Sequence, residues 1–302
     1  MRSRRRTVHA IVLDLDNTLY DWVGYFVPAV RAMLAEAARQ LSTDPRSLRE
    51  DLRRVHVRHG NTEHPFALLE TAAVRRRLAG LTARERHQAL RPAFDAFNAA
   101  RASQLRLYPA VADTLDSIRA AGCRLVGHTE ATEVNIAARA RALGLHTRLE
   151  AIYASEFTGP PHPLGAGRQR GGEPVPVVAL RNGARKPDPE LARRILRQVG
   201  VPAEHSLYVG DSVAKDIAMA RGAGMMTAWA RYGTRHDAAL WTELVELSHW
   251  DPATVAAAAA ASPLDEPDVV LDSFDQLLEH FEFGAPAPPH PGTQTEPTGR
   301  SR

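Results

Sequence analysis

Cysteine is all but missing from this chain of 302 residues: Cys123 stands alone, which excludes an intrachain disulfide and a zinc site built from cysteines, and points to a cytoplasmic setting. Long apolar runs are missing as well. No stretch approaches the roughly 18 uninterrupted apolar residues of a spanning helix, so no membrane partner is expected. The opening segment sets arginines before an apolar run, as a secretion signal does, but Asp14 and Asp16 interrupt the run and no small-residue cleavage site follows. It reads as a basic arm over residues 1–7 leading into a buried strand. Aromatic residues make up only 6%, and none is interleaved with the arginine clusters at Arg2 to Arg6 and Arg75 to Arg77. With a net charge of +3 spread along the chain, nucleic acid is not expected as a partner.

What is present is ordinary for a globular protein, with 44% hydrophobic and 24% charged residues. Short apolar runs recur at Val8 to Leu13, Arg124 to Gly127, Leu149 to Ala154, Leu207 to Val209, Met225 to Ala230 and Val269 to Leu271. Segments with a 3.6-residue period follow, at Ala131 to Ala142, Pro189 to Val199 and Val213 to Ala223. Such alternation predicts an α/β protein with a doubly wound parallel sheet. Residues 22–106 break the alternation: rich in Ala, Leu, Arg and Glu, they read as an all-helical module of four or so helices, divided near Asp44-Pro45, His64-Pro65 and Leu81-Thr82. The core is therefore expected over 8–21 and 107–283, with a helical cap over 22–106. Residues 159–183 form a Gly/Pro-rich insertion, read as a surface loop in which Val175 to Leu180 could form a hairpin arm, and residues 284–302 read as a disordered tail.

The chemistry is concentrated at the predicted strand ends, where open parallel sheets place their ligands. Asp14 and Asp16, in Asp14-Leu15-Asp16-Asn17-Thr18, fall at the end of the first strand, and alternation points them to one side. Two carboxylates so close repel unless a cation or a shared proton relieves them. Gly210-Asp211-Ser212 ends another strand, with Asp216 about one helical turn on, adding the hard oxygen ligands that suit Mg²⁺. Thr129 ends a third strand, and Lys186 in Arg185-Lys186-Pro187-Asp188-Pro189 precedes a helix. A hydroxyl and an ammonium converging on a phosphate supply much of what phosphoryl transfer asks of a protein.

In these four motifs the sequence resembles the haloacid dehalogenase superfamily: Asp14, Asp16 and Thr18 match the first, Thr129 the second, Lys186 the third, and Asp211 with Asp216 the fourth. The resemblance implies a Rossmann-like core with a helical cap and a phosphatase working through an aspartyl-phosphate on a small phosphorylated metabolite. By it, Asp14 is the nucleophile and Asp16 the general acid and base. Thr129 and Lys186 bind the phosphoryl group. Asp14, the backbone carbonyl of Asp16, and Asp211 hold Mg²⁺, with Thr18, Ser212 and Asp216 in support. Asp16 favours phosphate transfer over dehalogenation, since halide leaves without a proton. A phosphomutase or a 2-haloacid dehalogenase of the same superfamily, a much shorter phosphoacceptor receiver module, and a catalytically silent partner-binding relative are the alternatives. Glu130, following Thr129, departs from the usual small or amide residue and brings a negative charge near the phosphate pocket. Substrate selection falls to the cap, with Tyr20, Asp21, Trp22, His56, Arg58, His59 and His64 as candidates, and the histidine spacing does not suggest a metal site.

Overall fold

The computed structural model describes residues 5–159, 163, 176–180, 185–251, 253, 255 and 266–286. Among them the strands are β1 (Arg6–Val8), β2 (Ala10–Leu13), β3 (Arg124–Thr132), β4 (Ala151–Ser155), β5 (Val177–Leu180), β6 (Ser206–Gly210), β7 (Met226–Ala230), β8 (Val269–Leu271) and β9 (Phe281–Phe283). Seven form a single parallel sheet in the order β5-β4-β3-β2-β6-β7-β8. Every residue of β2 and β6 is buried, as expected of central strands covered on both faces. The chain runs from β2 to β3 on one side and returns to β6 on the other, so the switch in strand order, where a crevice opens, lies at the carboxyl end of β2.

The α-helices whose bounds lie among the described residues are α1 (Trp22–Leu41), α2 (Pro45–His59), α3 (Ala72–Arg77), α4 (Ala83–Ala89), α5 (Arg91–Gln104), α6 (Val111–Ala120), α7 (Glu133–Ala142), α8 (Pro189–Val199), α9 (Ala218–Gly222), α10 (Ala238–Leu247) and α11 (Leu277–His280). The first five fall within the span read as helical, and no strand lies among them. Their boundaries follow local chemistry. Asp21 caps α1 through Gly24 N, and Asp44 caps α2 through Ser47 N with Pro45 in the first turn. Thr82 and Glu85 close a capping box on α4. Gly60, at φ 56, ends α2 in the left-handed conformation that glycine adopts without steric cost.

The helical layer also recruits α10 from far along the chain. Arg31 pairs with Glu243 at 2.5 Å, Arg49 with Glu246 at 3.1 Å, and the His56 ring meets the Leu247 carbonyl at 2.7 Å. The layer is thus not made from residues 22–106 alone.

Several expectations are corrected. The first strand is split at His9: Arg6–Val8 pairs in parallel with β9, so part of the supposed basic arm is ordered strand, while Ala10–Leu13 enters the main sheet. Val177–Leu180 is the parallel edge strand beside β4, not a hairpin arm. The helix expected from Val213 opens as a π-turn over Val213–Ile217 and becomes α9 at Ala218. Most of the 159–183 insertion and residues 287–302 of the tail lie outside the described residues. Among the described residues, no helix is long and apolar enough to cross a membrane.

Candidate active site

Asp14 is the first residue beyond β2, and the turn after it is built by its neighbours. Asn17 takes φ 58, and the amide of Leu19 returns to the carbonyl of Leu15 at 2.9 Å. Asn17 Oδ1 then accepts from Trp22 N at 3.1 Å, joining the turn to the start of α1. Thr18 Oγ1 donates to Asp14 Oδ2 at 2.9 Å, which fixes the carboxylate from behind while both residues stay buried.

Lys186 reaches the same point from the loop before α8. Its ammonium bonds to Asp14 Oδ1 and lies 2.7 Å from Asp216 Oδ1. Although burial works against its charge, Asp14 and Asp216 hold Lys186 protonated, well above the usual lysine range. Asp216 projects from the π-turn, where its second oxygen accepts from Ser212 N at 3.0 Å. The approach is close: a Cβ on Gly210 would come within 2.4 Å of the Asp216 carboxylate, so glycine is required at the end of β6.

Asp14, Asp211 and Asp216 bring carboxylate oxygens within 4.8 Å of one another. Burial pushes Asp14 up to about 7; Lys186 works against the rise, and Asp216 and Asp16 add to it. Asp211 is raised in the same direction, by burial first and then by Asp14 and Asp216. Crowding three carboxyl groups around one ammonium in a buried site makes it costly to ionise them all, and a divalent cation would relieve that cost. The donors are all oxygens, which fits Mg²⁺. Asp216 occupies the third carboxylate position of this cluster, while the Asp16 side chain turns elsewhere.

Asp16 is surrounded by donors. Tyr20 OH donates to Oδ1 at 2.7 Å, Arg139 Nη1 to the same oxygen at 2.6 Å, and Thr129 Oγ1 to Oδ2 at 3.2 Å. Thr129 is buried, also accepts from Ala131 N at 3.0 Å, and does not line the cavity. A phosphate contact from its hydroxyl requires exchange of the Asp16 bond. Arg139 carries a second carboxylate: Nη2 donates to Glu63 Oε1 at 2.5 Å, and the Asn135 side chain holds the Glu63 carbonyl at 2.8 Å. Glu63 belongs to the loop after α2, so this pair of contacts ties the helical layer to α7 and to Asp16. The sequence reading missed both residues. A signal existed, since Arg139 falls on the buried face of α7 with Ile136 and Ala140, and a charge on such a face calls for partners.

A cavity of about 920 Å³ opens over these groups. Asp14, Asp16, Lys186, Asp211, Ser212 and Asp216 line its floor. Glu130 does lie on its wall, but Lys215 Nζ meets it at 2.7 Å, so the extra negative charge is paired.

The helical-layer candidates divide. Trp22, His59 and His64 line the cavity, whereas Tyr20 is buried behind Asp16 and Asp21 serves as the α1 cap. His56 is no substrate contact: it is buried against α10, and burial depresses it to about 4, so it is a neutral packing residue. Arg58 is not in the cavity wall and lies 3.6 Å from Glu70. His59 and His64 stack at 3.6 Å and both reach Glu70 at 2.9 Å. With Arg58 and Arg75, at 3.7 Å, also facing Glu70, its charge is already met by guanidinium groups.

Residues 8–224 match the family model of haloacid dehalogenase-like hydrolases, and residues 183–277 match a second, HAD-hydrolase-like model. The glyceraldehyde 3-phosphate phosphatase of Methanopyrus kandleri is 27% identical over 236 residues, which is 76% of this chain and 87% of that protein. Among solved structures, a HAD phosphatase from Thermococcus onnurineus superposes with a TM-score of 0.54 at 14% identity, covering 90% of this chain and 97% of the other. A 2-haloacid dehalogenase from Pseudomonas syringae pv. Tomato DC3000 gives 0.52 at 23% identity with the same coverage of 90% and 97%. These two structures share the fold.

Proposed function

We propose that this chain, which belongs to the haloacid dehalogenase-like hydrolase family, cleaves the phosphate monoester of a small metabolite with Asp14 as its nucleophile. The observation that carries the reading is the convergence, at the carboxyl end of β2, of Asp14 held by Thr18 with Lys186 bonded to its other oxygen. The name of the Methanopyrus relative, a phosphatase, supports the same chemistry.

In this reading an oxygen of Asp14 attacks phosphorus while the ester P–O bond breaks, and Asp16 gives its proton to the departing alkoxide. The aspartyl-phosphate so formed is a covalent intermediate that divides one hard step into two easier ones. Asp16, now a carboxylate, takes a proton from water; the water oxygen bonds to phosphorus, the bond to Asp14 breaks, and phosphate leaves. Lys186 neutralises phosphoryl oxygens as charge moves onto them, and Asp216 keeps the ammonium aimed at them. Thr129, now bonded to Asp16, would turn its hydroxyl to the phosphate when substrate enters. Asp14, Asp211 and the backbone carbonyl of Asp16 are the donors that would hold Mg²⁺, which when bound screens the phosphoryl charge from an anionic nucleophile. Asp211 follows β6 directly, and the Trp229 indole N–H anchors its carbonyl at 2.8 Å. A cytoplasmic setting belongs to the same reading, supported by the single cysteine.

The test is phosphate release from a panel of metabolite esters and an aryl phosphate, with Mg²⁺ or with chelator. Release that needs Mg²⁺ is expected. Absence of release from every ester, or full activity in chelator, contradicts the reading.

A further inference from the structure

Away from the carboxylate floor the cavity is walled by rings. Trp22, Trp241, Trp250, His236 and His249 all line it, and the chain has only four tryptophans in total. The rings touch in series. His236 stacks on Trp241 at 5.0 Å with 6° between the planes, Trp241 meets Trp250 at 5.9 Å, and Trp250 meets Trp22 at 6.4 Å. Trp22 in turn stacks on Phe26 at 5.0 Å, so the series is braced from α1. His249 is fixed by Thr62, whose hydroxyl lies 2.8 Å from Nδ1.

Two features distinguish this wall from ordinary packing. Trp241 and Trp250 are only partly buried, although each is packed against the core, so ring surface remains open to the cavity. The space is also large for a phosphate alone. Cavities of roughly 300–1,000 Å³ accept ligands of drug size, and about 920 Å³ lies near the upper end. A three-carbon phosphate would leave the rings wet, whereas a planar ring system would cover them. The histidines do not add fixed positive charge to the wall, since burial lowers both His236 and His249.

We infer that the wall is a leaving-group subsite for a planar heteroaromatic ring carried on the phosphorylated alcohol, as in a flavin mononucleotide, a nucleoside monophosphate or a pyridoxal phosphate. The inference rests on the phosphatase reading for the position of the phosphate, and names the class of alcohol released. Stacking a planar base on an aromatic side chain is sequence-tolerant and strong enough for removal of one ring to cost about tenfold or more in affinity.

The experiment compares kcat/KM for phosphate release from flavin mononucleotide, adenosine monophosphate and pyridoxal phosphate with that from glyceraldehyde 3-phosphate and phosphoglycolate. The wild type, Trp241→Leu and Trp250→Leu are each measured, leucine being chosen to preserve apolar packing. At least one ring-bearing ester is expected to exceed both aliphatic ones, and each substitution to lower it about tenfold while leaving the aliphatic esters within about twofold. The ring-bearing esters separate flavin, purine and pyridine as sources. Faster cleavage of the aliphatic esters, or equal losses for both classes, overturns the subsite while leaving the phosphatase reading intact. Binding is read separately from tryptophan emission of Asp14→Asn with Mg²⁺: saturable quenching by a ring-bearing phosphate and none by glyceraldehyde 3-phosphate supports the subsite even if no turnover is found. Absence of saturable quenching overturns it.

Discussion

Arg139 donates to Asp16 at 2.6 Å from a side chain that is only 4% exposed. Its other amino group holds Glu63, so the guanidinium links the helical layer to the residue proposed as general acid. Arg139 touches no reacting atom in this account; it is a positioning residue acting through Asp16. Arg139→Met should therefore reduce kcat/KM for an alkyl phosphate by roughly 10- to 10²-fold, a fraction of what general acid catalysis contributes. The same change should alter kcat/KM for p-nitrophenyl phosphate, whose leaving group needs no proton, by no more than about threefold. Equal losses on both esters would make Arg139 a structural residue only.

Asp16→Asn extends the same logic. Removing the acid should lower kcat/KM for the alkyl ester by roughly 10² to 10⁴; the melting temperature should fall as well, because the buried Arg139 loses one of its two carboxylate partners, while circular dichroism should show the fold intact. An undiminished alkyl rate in Asp16→Asn would assign proton transfer to another group.

Metal binding has a readout apart from turnover. A ligand that binds only the folded state raises stability by RT ln(1 + [L]/Kd), about 2.7 kcal/mol at a hundredfold excess over Kd. Millimolar Mg²⁺ should raise the melting temperature of the wild type, and chelator should reverse it. Asp211→Asn, which removes one of the clustered carboxylates, should abolish the shift. A shift unchanged in that variant places the cation elsewhere.

His56 supplies a pH dependence. Its folded value, about 4, lies below the ordinary 6.5, so the unfolded chain binds this proton more readily. The stability it confers is complete above pH 6.5 and is lost as pH falls toward 4. The full window corresponds to about 3 kcal/mol. His56→Gln should flatten the fall in melting temperature between those pH values relative to wild type, and identical slopes would contradict the assignment of His56 as a buried neutral ring.

How much of this was legible in the sequence follows from where each constraint is stored. Asp14, Asp16 and Asp211 could be singled out because short strands and their ends are local features, and Lys186 because it sits just before a recognisable helix start; the parallel sheet then sets the strand ends at one edge. The breaks at Asp44-Pro45 and Leu81-Thr82 were legible for the same reason, and α2 and α4 begin there. The β1–β9 pair was not legible, since Arg6–Val8 finds its partner about 275 residues away and three residues carry little periodicity. Nor was α10 in the helical layer, which depends on Arg31 meeting Glu243 across the fold. Arg139 and Glu63 belong to this second kind: each is unremarkable alone, and their role arises only when α7 and the loop after α2 are packed together. Trp241 and Trp250 likewise gain meaning only from the cavity they share with Asp14.

The central claim is that Asp14 becomes phosphorylated, and acid quenching during turnover tests it most directly. With the best ester carrying a labelled phosphate and with Mg²⁺ present, the wild type should retain protein-bound label that hydroxylamine removes, as expected of an acyl phosphate, with the modified peptide containing Asp14. Asp14→Asn should retain no label and release no phosphate. Turnover preserved in Asp14→Asn, or label carried by a different residue, would contradict the account.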